Sequence, residues 1–276
     1  MVQKVFAAYF SPAGSTEAVT KYIADRIAKA LKVPVEYIDF TLPGGRQGQY
    51  SFEEEDLVVL GMPTYAGRVP NKALPFLREL FDGNGALAVS IVTFGNRDFD
   101  SSLTELVEEM EWLGFRVYGA GAWACRHVFS DKIAAGRPDT EDHKKMDAFA
   151  DQAAARAVLK YEDSPWKEPV IRSGEPVGPY YVPQGEDGQP AQFLKAKPVT
   201  DAGKCTKCGI CAKVCPMGSV SAQDFSEVPG ICIKCQACVV KCPEGAKYFD
   251  APSFLSHVRM LEQNFTARKE PEWYFK

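Results

Sequence analysis

The sequence predicts an α/β chain: a five-stranded, doubly wound parallel sheet followed by a small α+β module organised by cysteines. Three observations predict it. Apolar stretches alternate with helix-period stretches through the first half of the chain, as consecutive parallel strands with crossover helices require. Short polar or glycine-bearing loops follow the first, third and fourth of those apolar stretches, and open parallel sheets bind ligands beyond the carboxyl ends of their strands. Eight of the nine cysteines fall between residues 205 and 242, in two copies of one spacing.

The elements follow in order. Residues 2–10 (Val2, Val5, Phe6, Ala7, Ala8, Tyr9, Phe10) form the near-continuous apolar run of a strand covered on both faces. After Ser11-Pro12-Ala13-Gly14-Ser15-Thr16, the residues Val19, Tyr22, Ile23, Ile27, Ala30 and Leu31 recur at helical spacing. Hydroxyls and a glycine between a buried strand and a helix N-terminus suit an anion, because backbone N–H groups and the helix dipole both face it. The loop lacks the Gly-Lys-Ser/Thr ending of a Walker loop, and a plain helix cap is its simplest reading. Val33–Phe40 reads as the second strand and Leu57–Gly61 as the third, ending in Met62-Pro63-Thr64-Tyr65-Ala66-Gly67-Arg68-Val69-Pro70. Ala86–Phe94 reads as the fourth, ending in Gly95-Asn96-Arg97-Asp98-Phe99-Asp100, and Phe115–Ala124 as the fifth, with helices expected around 70–81 and 102–113. Pro138 with Asp139 or Thr140 marks the start of a long helix running to about Lys160.

The pattern Tyr9-x-Ser11-x-x-Gly14-x-Thr16, with the two later loops in the right order, resembles the flavodoxin fingerprint of the short-chain type. That resemblance implies a flavodoxin-like sheet binding FMN. Ser11, Ala13, Gly14, Ser15 and Thr16 would surround the phosphate. Pro63, Thr64, Tyr65, Ala66 and Gly67 would line one side of the isoalloxazine, with Tyr65 the stacking ring, and Thr93, Phe94, Gly95, Asn96 and Phe99 the other. Arg68 and Arg97 in these loops would favour two-electron reduction of the flavin, unless both point to solvent. His127, in the loop Cys125-Arg126-His127-Val128-Phe129-Ser130, could donate a hydrogen bond or proton near the flavin or a substrate, or be a structural histidine. His127, Tyr65 and Arg97 are therefore the candidate catalytic residues. Cys125 ends an apolar strand and reads as inert core. Gly119-x-Gly121-x-x-Ala124 formally matches a dinucleotide fingerprint but lies inside the fifth strand with no helix after it, so nicotinamide binding is not supported.

The cysteines read Cys205-x-x-Cys208-x-x-Cys211-x-x-x-Cys215-Pro216, and again, 27 residues on, Cys232-x-x-Cys235-x-x-Cys238-x-x-x-Cys242-Pro243. Thiolates are soft ligands and a cubane cluster takes four of them. Zinc ribbons use two plain C-x-x-C pairs, and disulfides need an oxidising compartment, for which no export signal is seen. The segment resembles a bacterial two-cluster ferredoxin. By that resemblance Cys205, Cys208, Cys211 and Cys242 hold one [4Fe–4S] cluster, and Cys232, Cys235, Cys238 and Cys215 the other. The whole chain resembles a group of anaerobe proteins in which a flavodoxin-like half is fused to such a ferredoxin, although the serine of their His-Ser loop is displaced here to Ser130.

The expected organisation is a flavodoxin-like domain over 1–163, a proline-rich connector over 164–198, a two-cluster ferredoxin over 199–250, and a C-terminal helix and tail over 251–276. Connector aromatics (Trp166, Tyr180, Tyr181, Phe193) suggest that it docks on the domains. The helix pattern Phe254, Leu255, Val258 and Leu261 with the end Trp273-Tyr274-Phe275 would clamp the ferredoxin module to the rest of the chain, or bury against a second subunit in a homodimer. A net charge of −4 argues against nucleic acid as a partner, no run is long enough to span a membrane, and a cytoplasmic, anaerobic setting is expected. Function follows from the cofactors: an oxidoreductase that takes electrons from a ferredoxin-like donor or reductase and passes them through FMN to a small acceptor or a protein. The alternatives are a pure electron carrier without a small-molecule substrate, and a redox sensor.

Overall fold

The computed structural model describes residues 1–159 and 177–276. The stretch 160–176, with Pro165, Trp166, Pro169, Pro176 and the boundary expected at 163/164, lies outside the described residues. The elements are β1 (Lys4–Tyr9), α1 (Ser15–Leu31), β2 (Val35–Asp39), β3 (Tyr50–Ser51), β4 (Asp56–Pro63), α2 (Leu74–Leu80), β5 (Phe81–Asp82), β6 (Leu87–Phe94), α3 (Ser102–Trp112), β7 (Arg116–Ala124), α4 (Thr140–Ala157), β8 (Val199–Thr200), α5 (Ile210–Lys213), α6 (Ala237–Val240), β9 (Lys247–Tyr248), α7 (Pro252–Asn264) and β10 (Glu272–Phe275). No helix among them is long and apolar enough to cross a membrane.

The central sheet has the order β10-β7-β6-β4-β1-β2. Its five long strands are parallel, in the flavodoxin-like order, with the chain reversing direction across the sheet between β1 and β4. One face is covered by α1 and α4, through Val19, Ile23, Ile27, Phe149 and Trp123. The other carries Phe10, Phe40, Leu60, Leu77, Leu103 and Leu106 under α2 and α3. Burial on both faces is why β4, β6 and β7 read as unbroken apolar runs. Helix α4 starts at the Asp139 cap, whose side chain accepts from the Glu141 and Asp142 N–H groups while the Asp142 side chain reaches back to the Asp139 N–H.

The sixth strand departs from the five expected. While α7 packs on Phe249 of the cysteine module, β10 after it adds antiparallel to the edge strand β7. Its alternation sends Trp273 and Phe275 inward, where Trp273 stacks on Trp123 (5.9 Å between centroids) and Phe275 on Phe149 (5.0 Å). The glycine at 119 makes this possible, since a Cβ there would lie 2.7 Å from the Phe275 ring. The Gly119-x-Gly121 pattern thus serves strand packing.

Between α7 and β10 the chain forms a strap across the first half. The Asn96 amide donates to the Phe265 and Ala267 carbonyls (2.8 and 2.9 Å) and accepts from the Lys269 N–H (3.1 Å). Arg137 donates to the Lys269 carbonyl (2.7 Å) and forms a buried pair with Asp142, which Arg268 joins at 2.9 Å. The strap's helix, α7, packs Phe254 and Val258 against Phe193 of the connector and Phe249 of the cysteine module.

Candidate functional site: two thiol cavities and three loops

The cysteine module is a structural repeat. Helices α5 and α6 each start from a left-handed cap residue, Gly209 and Gln236, which stand 27 positions apart like the motifs themselves. The Cys215 sulfur accepts from the Ser219 N–H (3.3 Å) and the Cys242 sulfur from the Ala246 N–H (3.2 Å), again one repeat apart. All eight thiols are free. They ring two small cavities. Cys205, Cys208, Cys211 and Cys242 line the first, with Phe225 and Lys247. Cys215, Cys232, Cys235 and Cys238 line the second, with Met217 and Phe249. Burial pushes the Cys235 and Cys238 thiols up to about 12, so as bare groups they hold their protons; a bound cation reverses that. Cys242 goes the other way, because four backbone N–H groups (Lys247, Ala246, Glu244, Gly245) together outweigh its burial.

The cavities differ in where they face. Around the second, Ile233 packs on the core of the sheet domain, and the Pro216 carbonyl accepts from Arg46 at 2.9 Å. Burial first, then the charge of the Cys235 and Cys232 sulfurs, keep the Tyr65 phenol protonated well above the usual tyrosine range. The first cavity is the outer one, with Cys208 exposed.

The three loops meet at the carboxyl ends of β1, β4 and β6. Helix α1 begins at Ser15 behind Gly14 (φ +97°) with no side-chain cap. The Ser11 hydroxyl accepts from the Glu17 N–H (2.9 Å), and the Ser11 N–H donates to the Thr41 hydroxyl (2.7 Å). The Thr16 and Thr93 hydroxyls bond at 2.7 Å and the Thr64 N–H donates to the Thr93 carbonyl at 2.7 Å, so all three loops are tied together. Tyr65 and Arg68 close a tight turn through Ala66 and Gly67, both at positive φ. The Phe94 and Phe99 rings meet at 5.5 Å, while Ala13 and Pro63 are half-buried at the rim.

Several side chains are not where the sequence suggested. The Asn96 amide is turned to the strap, leaving only its backbone in the loop. Arg68 is neutralised by a bidentate pair with Glu105 (2.8 and 2.6 Å) and donates to the Gly178 carbonyl. Arg97 pairs with Asp100 and lies 3.9 Å over the Tyr181 ring. Ser130 bonds Glu262 of α7, far from any flavin role. Cys125 is buried, and desolvation holds its thiol up at about 12. The described part of the connector does dock: the Tyr181 N–H donates to the Ala66 carbonyl, covering the second loop.

His127 lies against the third loop so closely that a Cβ on Gly95 would be 2.2 Å from its ring. Its Nδ1 accepts from the Phe129 N–H (3.1 Å), which puts the proton of the neutral ring on Nε2. Burial, with His257, Arg97 and Arg126 nearby, lowers its pKa to about 4. His257 on α7 is the residue the sequence did not single out. It is buried, its Nδ1 donates to the Gln184 carbonyl (2.8 Å), and its ring neighbours Tyr181. A helix-period position carries no sign that its helix will fold back over a distant loop; the one available signal was that the chain has only three histidines.

Residues 198–221 match the 4Fe-4S binding domain family. No curated protein matches the chain. Among solved structures, an NADH:FMN oxidoreductase in its apo form is similar at 13% identity, over 58% of this chain and 93% of that one, with a TM-score of 0.44. A flavodoxin from the domain Archaea (15%, 56% and 99%, TM-score 0.40) and the Streptococcus pneumonia TIGR4 flavodoxin (18%, 55% and 99%, TM-score 0.40) are also similar. Likenesses this distant bear on no activity, and the flavodoxin-like fold of the first half rests on the strand order itself. The chain therefore joins a flavodoxin-like α/β half to a segment of 4Fe-4S ferredoxin type.

Proposed function

We propose that this chain is an iron–sulfur flavoprotein oxidoreductase with two [4Fe–4S] clusters and FMN. The observation that carries the reading is the pairing of the thiols. Each cavity takes three cysteines from one motif and the fourth from the other, and the second cavity meets the sheet domain through Ile233 and Pro216. Cys205, Cys208, Cys211 and Cys242 would hold the outer cluster, and Cys215, Cys232, Cys235 and Cys238 the inner one. The N-terminus of α1, where the cap residue Gly14 has no side chain and Ser11, Ser15 and Thr16 carry hydroxyls, suits the FMN phosphate. The Thr64–Gly67 turn and the Thr93–Phe99 loop would flank the ring, with Tyr65 between ring and inner cluster. FMN exchanges one or two electrons and each cluster one, so the assembly converts between the two currencies.

The residues supply position and protonation. His127, neutral with its proton on Nε2 beside Gly95, is placed to donate to the flavin or to a small acceptor. A ferredoxin-like partner would deliver electrons at the outer cavity, where Cys208 is exposed. The unit boundaries proposed are 1–163, 164–198, 199–250 and 251–276, with β10 of the last completing the sheet of the first.

The pure-carrier reading is favoured by one observation: Arg68 and Arg97 both carry carboxylate partners, which removes the free cations that would favour two-electron reduction. An anaerobic reductive titration tests both readings. The proposal expects about eight irons and about four electrons per chain; uptake of two electrons or fewer overturns it. A flavin reduced in one two-electron wave supports the oxidoreductase, and two well-separated one-electron waves support the carrier.

A further inference from the structure

The two thiol cavities share one cysteine spacing and one short helix each, and differ at the residue that caps that helix. At the outer cavity it is Gly209 (φ +76°), and a Cβ there would sit 3.0 Å from the Phe225 ring, which occupies that space. At the inner cavity it is Gln236, in the same left-handed conformation (φ +62°) although it has a side chain. Left-handed backbone disfavours residues with a Cβ, and glutamine has no short side chain to compensate by local bonding.

Gln236 carries a second unfavourable feature. The residue is 5% exposed and its Nε2 has no hydrogen-bond partner among the described residues. It lines the inner cavity together with Cys215, Cys232, Cys235 and Cys238. A strained backbone and an unpaired buried donor in one residue of the cavity lining call for an acceptor that the described polypeptide does not supply.

We propose that the Gln236 side-chain amide donates an N–H···S hydrogen bond to the inner [4Fe–4S] cluster and thereby makes it the higher-potential cluster of the two. This rests on the two-cluster reading above. Sulfur accepts weakly but carries the negative charge of a thiolate-ligated cluster, and that charge selects the NH₂ end of the amide over the oxygen. A donor on cluster sulfur stabilises the reduced state, which is one unit more negative, more than the oxidised state, so the potential rises. Gly209 offers the outer cluster no such donor. One electron then moves downhill from outer to inner cluster, with no proton transferred, towards the loop that carries Tyr65. Gln236 is a positioning and tuning residue, and it adds a direction to the electron path between the two sites.

The test uses the full holoprotein in three forms: native, Gln236→Gly, which copies the outer site and relieves the backbone, and Gln236→Met, which keeps the bulk without a donor. Iron and acid-labile sulfide are counted first, and native protein short of two clusters overturns the underlying reading. With both clusters present, potentiometric titration followed by EPR should show two cluster waves. In each variant the higher wave should shift to more negative potential while the lower stays in place. Two unmoved waves in fully loaded variants overturn the inference and leave the two-cluster reading standing. Native protein grown with glutamine ¹⁵N-labelled at the side-chain amide provides an arm independent of variant folding. Pulsed EPR should detect a nitrogen coupling on the higher-potential signal, and its absence overturns the inference even if neither variant loads.

Discussion

Asn96 shows how a residue can be placed in the right loop and serve a different end. Its amide holds the strap through three backbone partners and also meets Arg137 (3.4 Å). Asn96→Ala should cost about 2–3 kcal/mol, from buried backbone groups left unpaired, while FMN affinity changes by less than about threefold. Calorimetry and a flavin fluorescence titration would check the two halves of that statement; weakened FMN with intact stability would return Asn96 to the flavin. His127 makes a prediction about pH. Its pKa falls from 6.5 in the unfolded chain to about 4 in the fold, so between those values the unfolded state binds more protons. Stability should therefore decline as pH drops from 6.5 towards 4, by at most about 3 kcal/mol from this group, and change no further below. Buried His257 acts in the same direction. Urea unfolding at several pH values should show a shallower decline in His127→Gln than in the native chain. These assignments were not legible beforehand, because a side chain's direction within a loop depends on what packs over it, and here that is a segment some 130–170 residues away.

At the scale of elements the sequence was far more informative. Strands β4, β6 and β7 are buried on both faces and their runs are long, so period and turn residues located them within a residue or two. β10 was not legible as a strand because four residues at a chain end hold only two inward positions, Trp273 and Phe275. Those two rings cover Trp123, Phe149 and Tyr118 on the α1/α4 face. Trp273→Ala should destabilise the chain by about 2–3 kcal/mol. Deleting residues 271–276 should do more, since it also bares the hydrogen-bonding edge of β7; self-association on gel filtration would report that edge. A truncated chain as stable and monomeric as the native one would mean that β10 is ornamental.

For the whole molecule, the cysteine spacing spoke for itself because cubane ligation constrains spacing more than any fold does. What spacing did not disclose is which cavity faces inward, since that is decided by Ile233 and Pro216 meeting the sheet domain. Cys208→Ser should lower iron to about four per chain while FMN is retained. It removes a thiol only from the outer cavity, so the inner cavity and its Ile233 and Pro216 contacts with the sheet domain are left intact. Loss of flavin together with iron would contradict the independence of the two sites.

The position of β10 also bears on synthesis. Synthesis makes the five parallel strands first, the cysteine module next, and Glu272–Phe275 only after both. Until then β7 is an open edge, and the Trp123 and Phe149 rings lack their covering partners. The nascent protein therefore stays unlatched throughout the period when its cysteines are emerging, and an interrupted transcript yields a polypeptide whose sheet is never sealed. Proteases that recognise loose edges would then act as inspectors of whether the electron-carrying module was ever made.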